Sequence, residues 1–381
     1  MKIIIFSIDC KPKKGGIAEY THNLILSLQK QKIITIVIAQ NHSASEDFDS
    51  QQKYLIIRCN LDPQTRLLKR YLHIIKTAGN FISREKPDCI ILNTYDRLSL
   101  AIHIVSLWKG LPFYILVHGL DIAEKQSSWK ELKRYVVIRG TNGIIANSTN
   151  TRKIAIKKGA DPDKVHIVHP GVASYEKMSL ERYKKTGTVL CSVIQSSSPV
   201  ILSVGRLVPR KGFDMVIESI PVVLKKYPNL KYVIIGDGYD RDRLEHMVAQ
   251  MGLEENILFP GQVDEQTKHA YYELADLFIM PNRDLDNGDT EGFGIVFLEA
   301  NLHGLPVIGG NAGGVPDAIE DGKSGLLVNS SSIQEIVNAI ITILSNPKTA
   351  SRMGEYGRKR SEEQFNWTIT AKKVSDIIRM K

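Results

Sequence analysis

The sequence predicts an α/β protein made of two tandem doubly wound domains. Three observations carry that expectation. Short β-branched runs alternate with longer amphipathic segments through most of the 381 residues, the pattern of parallel strands covered by helices. The alternation lapses once, from Ser174 to Ser198, into charged and serine-rich sequence. It then restarts, and the length suits two or three domains.

Taken in order, the first half offers strands at Lys2–Ser7, Thr35–Ala39, Tyr54–Arg58, Cys89–Asn93, Phe113–Val117, Gly143–Ala146 and Val165–Val168. The second offers Val200–Val204, Lys231–Ile235, Ile257–Phe259, Leu277–Met280, Val307–Gly309 and Gly325–Val328. Helical patterns separate most of them, one from Ala18 to Leu28, and a final one runs from Trp367 to Met380. The expected division is 1–185, 186–365 and a terminal helix, 366–381. Ligands of such folds bind beyond the carboxyl ends of the strands, so the cleft between the two domains is the expected site.

Apolar residues make up 43% of the chain, enough for real cores. The opening MKIIIFSIDC is too short an apolar run for a signal peptide, and no stretch has the length of a spanning helix. Cys10, Cys59, Cys89 and Cys191 are scattered, form no CxxC pair and read as small buried hydrophobes. A cytoplasmic protein is expected. The net charge of +9 is uneven, with 30 Lys+Arg against 16 Asp+Glu through Lys185 and 20 against 25 beyond it. A basic half points to a surface that meets anions. Aromatic interleaving or a reader motif for nucleic acid is lacking.

The richest stretch is EGFGIVFLEA, Glu291 to Ala300. A helix starting near Gly294 would present its positive end to a phosphate. Glu299 would lie about 7 Å beyond Glu291, at roughly 1.5 Å per residue. Two carboxylates beside an anion site are suited to accepting hydrogen bonds from hydroxyls on either side of a diphosphate, the layout of a nucleotide-sugar. Earlier, ILSVGRLVPRKGFD puts Gly205, Arg206 and Lys211 after a strand, two cations able to hold a diphosphate. IIGDGYDRDRLE ends a strand at Gly236-Asp237-Gly238, without a G-x-G-x-x-G fingerprint. In the first half, Gly15 and Gly16 precede a helix and form either a phosphate loop or a plain tight turn. VHGLD sets His118 at a strand end.

This block resembles the donor half of family 4 retaining glycosyltransferases of the GT-B fold, two Rossmann-like domains facing across a cleft with the terminal helix crossing back to the first. The resemblance covers most of the chain and is stronger in the second half. It implies that Arg206 and Lys211 hold the donor diphosphate and stabilise the leaving group, with Gly205, Phe293, Gly294 and Ile295 beside them. Glu299 would bind ribose hydroxyls and Glu291 a sugar hydroxyl. Gly15 and Gly16 would cover the diphosphate, Gly238 the nucleotide and Val263 the base. His118 would contact the transferred sugar, and Asn147-Ser148 and His169–Val172 would frame the cleft. Asp317, where the family often has Glu, and GDTEGFGIVFLEA resemble a subgroup that includes phosphatidylinositol mannosyltransferases, which hints at GDP-mannose. No metal or other cofactor is expected. Asp284-Leu-Asp286 sits in a polar loop, and the two cations already supply the charge of a divalent ion.

The resemblance implies transfer of a hexose from a nucleotide diphosphate sugar to a lipid-linked or glycan acceptor, in cell-envelope polysaccharide or glycolipid synthesis. A nucleotide-sugar isomerase of the 2-epimerase type, or an inactive basic binding module, are the rival readings. In PQTRLLKRYLHIIK, Leu67, Leu68, Tyr71, Leu72, Ile74 and Ile75 oppose Arg66, Lys69, Arg70 and Lys76. That helix either lies on an anionic membrane, on its inner face, or packs its apolar side on the sheet.

Overall fold

Each β-branched run becomes a strand, because a parallel strand covered on both faces needs continuous apolar sequence. The computed structural model of the chain describes residues 1–13, 15–59, 67–96, 99–124, 126–173 and 198–380. These form two units, Met1–Gly171 with Asn366–Lys381, and Val172–Phe365. The expected boundary at 185/186 lies outside the described residues.

The first unit runs β1 (Lys2–Ser7), α1 (Gly16–Lys30), β2 (Ile34–Gln40), α2 (Ser45–Ser50), β3 (Leu55–Cys59), α3 (Leu67–Glu85), β4 (Cys89–Leu92), α4 (Ser99–Lys109), β5 (Phe113–Val117), α5 (Leu120–Ala123), α6 (Ser128–Gly140), β6 (Gly143–Ala146), α7 (Thr149–Lys157) and β7 (Val165–Ile167). Its sheet has the order β3-β2-β1-β4-β5-β6-β7, and every pair is parallel. The chain reverses its direction of winding between β1 and β4, which makes the ends of those two strands the switch point.

The second unit runs β8 (Val200–Val204), α8 (Phe213–Leu224), β9 (Lys231–Ile235), α9 (Arg241–Gln250), β10 (Ile257–Gly261), α10 (Glu265–Leu274), β11 (Leu277–Met280), α11 (Ile295–Leu302), β12 (Val307–Gly310), α12 (Val315–Ala318), β13 (Gly325–Val328), α13 (Ile333–Ser345) and α14 (Pro347–Gln364). Its parallel sheet has the order β10-β9-β8-β11-β12-β13. Here the switch point lies between β8 and β11.

The final helix, α15 (Trp367–Arg379), belongs to the first unit. It buries Trp367, Ala371, Val374 and Ile378 with Tyr20, Leu24 and Leu28 of α1. Their spacing is one face of a helix, and burying each large apolar side chain contributes about 1.5–3 kcal/mol. Asn366 caps the helix through Ile369 N–H at 3.0 Å. The HPGV turn is its dock. Thr370 donates to the His169 carbonyl at 3.0 Å, and a Cβ on Gly171 would come within 2.5 Å of the Trp367 nitrogen.

The apolar side of α3 packs on the sheet. Ile74, Ala78, Phe81 and Ile82 are buried in its core, with Tyr71 and Ile75 partly buried against it. The apolar residues of this segment thus divide, Ile74 serving the core with Tyr71 and Ile75 against it, while Leu72 is exposed. Arg66 and the side chains of Leu67, Leu68, Lys69 and Arg70 lie outside the described residues.

Candidate active site

The second unit gathers its charges at its switch point. After β8 the chain passes Gly205 and exposed Arg206, then makes a tight turn, Pro209–Lys211, that buries Arg210 and Lys211. The turn can close only through Gly212. Its φ is +73°, and a Cβ there would stand 2.2 Å from the Pro281 carbonyl oxygen. From β11, Asn282 enters the same space, and the loop before α11 brings Asp289 and Glu291.

Glu291 Oε2 is the hub. It accepts from Lys211 Nζ at 2.6 Å, Asn282 Nδ2 at 2.9 Å and Arg210 at 3.3 Å. Arg210 Nε also donates to Asp289 at 2.8 Å. Burial alone would raise the Glu291 carboxyl pKa, but Lys211 and Arg210, with Arg206 behind them, hold it below the usual carboxylate range. Lys211 shifts downward as well, because burial and the like charge of Arg210 outweigh Glu291. The cluster is therefore a buried carboxylate beneath three cations. Arg206 is the exposed one and has no ion pair among the described residues.

Helix α11 starts at Gly294, whose φ is +91°. Phe293 is buried, Ile295 half-buried, and Glu299 lies one turn along the helix. Glu299 Oε2 accepts from the Tyr272 hydroxyl at 3.0 Å and pairs with Lys268 at 3.3 Å. Burial opposes the charge on Lys268, yet Glu299 and Glu265 raise its pKa. The glycine-rich turn after β12 closes on this loop, with Gly314 N–H donating to the Glu291 carbonyl at 2.8 Å. Gly238 is already demanded by the chain itself, since a Cβ there would meet the Leu207 carbonyl oxygen at 2.2 Å. Val263 is half-buried against the same core.

At the switch point of the first unit a histidine and several hydroxyls gather beside Asp121. His118 Nε2–H donates to the Asn93 carbonyl at 2.7 Å, which fixes the tautomer. Its backbone N–H donates to Asp121 at 2.9 Å, and Asn147 donates to its carbonyl at 3.2 Å. Burial lowers the His118 pKa despite Asp121, so the ring is neutral at pH 7. Tyr20 meets that ring edge-on at 4.8 Å, and Asn93 Nδ2 donates to Thr21 at 2.6 Å and Ser7 at 3.1 Å. Gly15 and Gly16 head α1, and a Cβ on either would meet nothing within 4 Å. Lys14 lies outside the described residues.

Of the residues the sequence singled out, Lys211 and Glu291 meet directly, while Glu299 and His118 anchor separate networks. Sequence reasoning missed Arg210, Asn282, Asp289, Tyr272 and Lys268. Arg210 carried a signal, standing between two basic positions already chosen; Asp289 had one too, two residues before Glu291. Asp284 accepts from the Thr290 hydroxyl. Among the described residues no three His, Cys, Asp or Glu side chains group as metal ligands.

Two doubly wound parallel sheets in tandem are the architecture of GT-B glycosyltransferases. Solved structures of similar fold include a glycosyltransferase from Rickettsia africae, with a TM-score of 0.83 and 18% identity over 99% of this chain and 97% of that one. Anabaena Alr3699/HepE in complex with UDP and glucose gives 0.80 and 19%, covering all of both chains. The Glycosyltransferase Family 4 model matches residues 14–174, and the Glycosyl transferases group 1 model matches residues 192–360. The chain belongs to the family 4 glycosyltransferases. Its relatives include the GDP-mannose-dependent alpha-(1-6)-phosphatidylinositol monomannoside mannosyltransferase of Mycobacterium tuberculosis, 36% identical over 99% of this chain and 98% of the relative. The Mycolicibacterium smegmatis protein of the same description aligns at 34% over 47% of each chain. A Corynebacterium glutamicum enzyme described as acting on the monoacylated form is 26% identical over 99% and 97%.

Proposed function

We propose that this glycosyltransferase moves a hexose, mannose from GDP-mannose, to a membrane-associated glycan or lipid acceptor with retention of anomeric configuration. The observation that carries the reading is the Lys211–Arg210–Glu291–Asn282 cluster at the switch point of the second unit, in a chain whose relatives are described as GDP-mannose-dependent. Lys211 and Arg206 hold the diphosphate, where their charge stabilises the leaving group more as the bond breaks. Backbone N–H groups near Phe293 and Gly294, at the start of α11, add to that anion site. Glu299 accepts from ribose hydroxyls and Glu291 from a sugar hydroxyl. His118, held neutral, hydrogen-bonds the transferred sugar. Gly15 and Gly16 leave room for the diphosphate, and Gly238 and Val263 line the nucleotide. The leaving phosphate accepts the acceptor's proton on the face where the new bond forms, and neither metal nor other cofactor takes part. The enzyme works as a peripheral protein on an anionic membrane.

The test is thermal unfolding with GDP, UDP, ADP and their sugar conjugates. A ligand at one hundred times its dissociation constant adds about 2.7 kcal/mol, so GDP and GDP-mannose should raise Tm and the others should not. A UDP-selective rise would overturn the mannosyl assignment, and no response to any nucleotide would overturn the donor site. Donor consumed only when lipid extract is added separates transfer from isomerisation.

A further inference from the structure

Helix α6 is apolar on two sides, and the inner one buries Val137 and Ile138 in the core. Its charged Arg134 points inward, 1% exposed, and donates to the carbonyls of Ile122 and Glu124 and to the Glu131 carboxylate. Its outer side is apolar as well: Trp129 is 65% exposed, and Leu132, Tyr135 and Val136 are exposed with it. These positions recur at helical spacing along one side. Helix α4 repeats the pattern, with Ala101, Ile102 and Val105 in the core and Ile104, Leu107 and Trp108 outside, the last two 67% and 62% exposed.

The two helices form one surface with α3. The Trp108 ring lies over Gly79 of α3, where a Cβ would come within 2.5 Å of it. His103 of α4 packs on Gly140 of α6, where a Cβ would come within 2.4 Å. Lys133 stands 5.3 Å from the Trp129 ring and 5.7 Å from the ring of Tyr71 on α3. Leu72 of α3 is exposed beside them. Cations are interleaved with this apolar surface: Lys109 lies 3.7 Å over Trp108, Arg139 lies near Tyr135, and Lys76, Arg84 and Lys130 are exposed. The acids of these helices are already engaged, Glu85 with Lys2 and Arg84, and Glu131 with Arg134 and Lys158.

An exposed apolar face this broad marks an interaction site, and its occupant must match both parts. Tryptophan and tyrosine beside lysine and arginine suit the interface of a bilayer, with rings at the headgroup level and cations on anionic lipid. A second copy docked face to face would set Lys109, Lys133 and Arg139 against their own like charges. The exposed rings are set among Ile104, Leu107, Leu132 and Val136, aliphatic surface that acyl chains cover and a nucleic-acid polyanion does not. We propose that the outer face of α4 and α6, with the adjoining edge of α3, seats the enzyme on an anionic bilayer. This deepens the membrane-acceptor reading above and rests on it.

The chain carries its own probe. Trp108 and Trp129 are two of its three tryptophans, and the third, Trp367, is buried. With mixed phosphatidylcholine–phosphatidylglycerol vesicles, the full-length protein should shift its emission to the blue and be quenched by lipid brominated on its acyl chains. Phosphatidylcholine alone should do neither. The double variant Trp129→Ser/Leu132→Ser, whose side chains are exposed, should keep its nucleotide response and partition onto anionic vesicles about tenfold less or weaker. Equal partitioning of parent and variant, with unquenched tryptophans, would overturn the proposal by placing contact elsewhere. Absence of vesicle binding by the parent overturns it too, and the nucleotide response of the same sample then shows whether the transferase reading survives. A lipid-free dimer abolished by the double variant would assign the face to a second copy instead.

Discussion

The two units wind their central strands in one order, yet the ends of those strands hold opposite kinds of chemistry. Asn93 follows β4 in the first unit and Asn282 follows β11 in the second. Both are fully buried, and in each the side-chain oxygen has no hydrogen-bond partner among the described residues. Around Asn93 stand hydroxyls and a neutral imidazole. Around Asn282 stand Glu291, Lys211 and Arg210. Topology thus supplies the same position twice, and side-chain charge decides what each can bind. The cation-bearing end suits a diphosphate, and the end built of hydroxyls, an imidazole and Asp121 suits sugar hydroxyls. The first unit carries its positive charge on an outer face instead.

The sharpest way to break this contrast is to remove Glu291. Glu291→Ala leaves Lys211 and Arg210 buried without their shared carboxylate and should cost about 3–5 kcal/mol in urea unfolding. An unchanged midpoint would mean that the cluster is not ionic. Lys211→Ala and Glu299→Ala should each weaken GDP binding by calorimetry about tenfold or more, equivalent to about 1.4 kcal/mol. Binding equal to the parent in both variants would remove the donor site from the second unit. In the first unit, His118→Ala should leave GDP affinity intact while turnover falls about a hundredfold. A loss of affinity instead would make His118 part of the donor site.

Acid should separate the units. His22, His103 and His118 of the first unit, and His269 of the second, all titrate below the ordinary value of 6.5, burial being the leading cause in each. Burial and the nearby Lys11 push His22 down to about 4. The unfolded chain then takes up protons before the folded one, so stability contributed by these groups is present above pH 6.5 and lost as pH falls toward about 4. Glu291, whose pKa is lowered, loses its contribution only below the usual carboxylate range. All three tryptophans lie in the first unit. The Tm read from their fluorescence should therefore fall from pH 6.5 downward, and less steeply in His22→Gln. A pH-independent Tm across that range would refute the assignment. The smallest effect is expected from Asp284→Asn with chelator, where turnover should be unchanged if no metal takes part.

Much of this was legible in the residues. Lys2–Ser7, Phe113–Val117, Val200–Val204 and Lys231–Ile235 are strands at the expected bounds, because a buried parallel strand must be an unbroken apolar run. Gly294 announced the start of α11 in the same way. Residues chosen by long-range pairing were less visible. Arg210 reads as one more basic residue in a loop until Asp289 and Glu291 close on it from 79 and 81 positions away. Leu72 and Ile74 look alike in sequence, but one is exposed and the other lies in the core.

By itself, the sequence determined the parallel α/β architecture and the family, since periodicity and local turn chemistry are written residue by residue. The tertiary structure decided which cations share Glu291 and that α6 turns its arginine inward and its tryptophan outward. Packing settled which apolar residues of α3 serve the core. Those outcomes depend on which surfaces meet after the strands pair, and a local pattern of polar and apolar residues does not encode its neighbour.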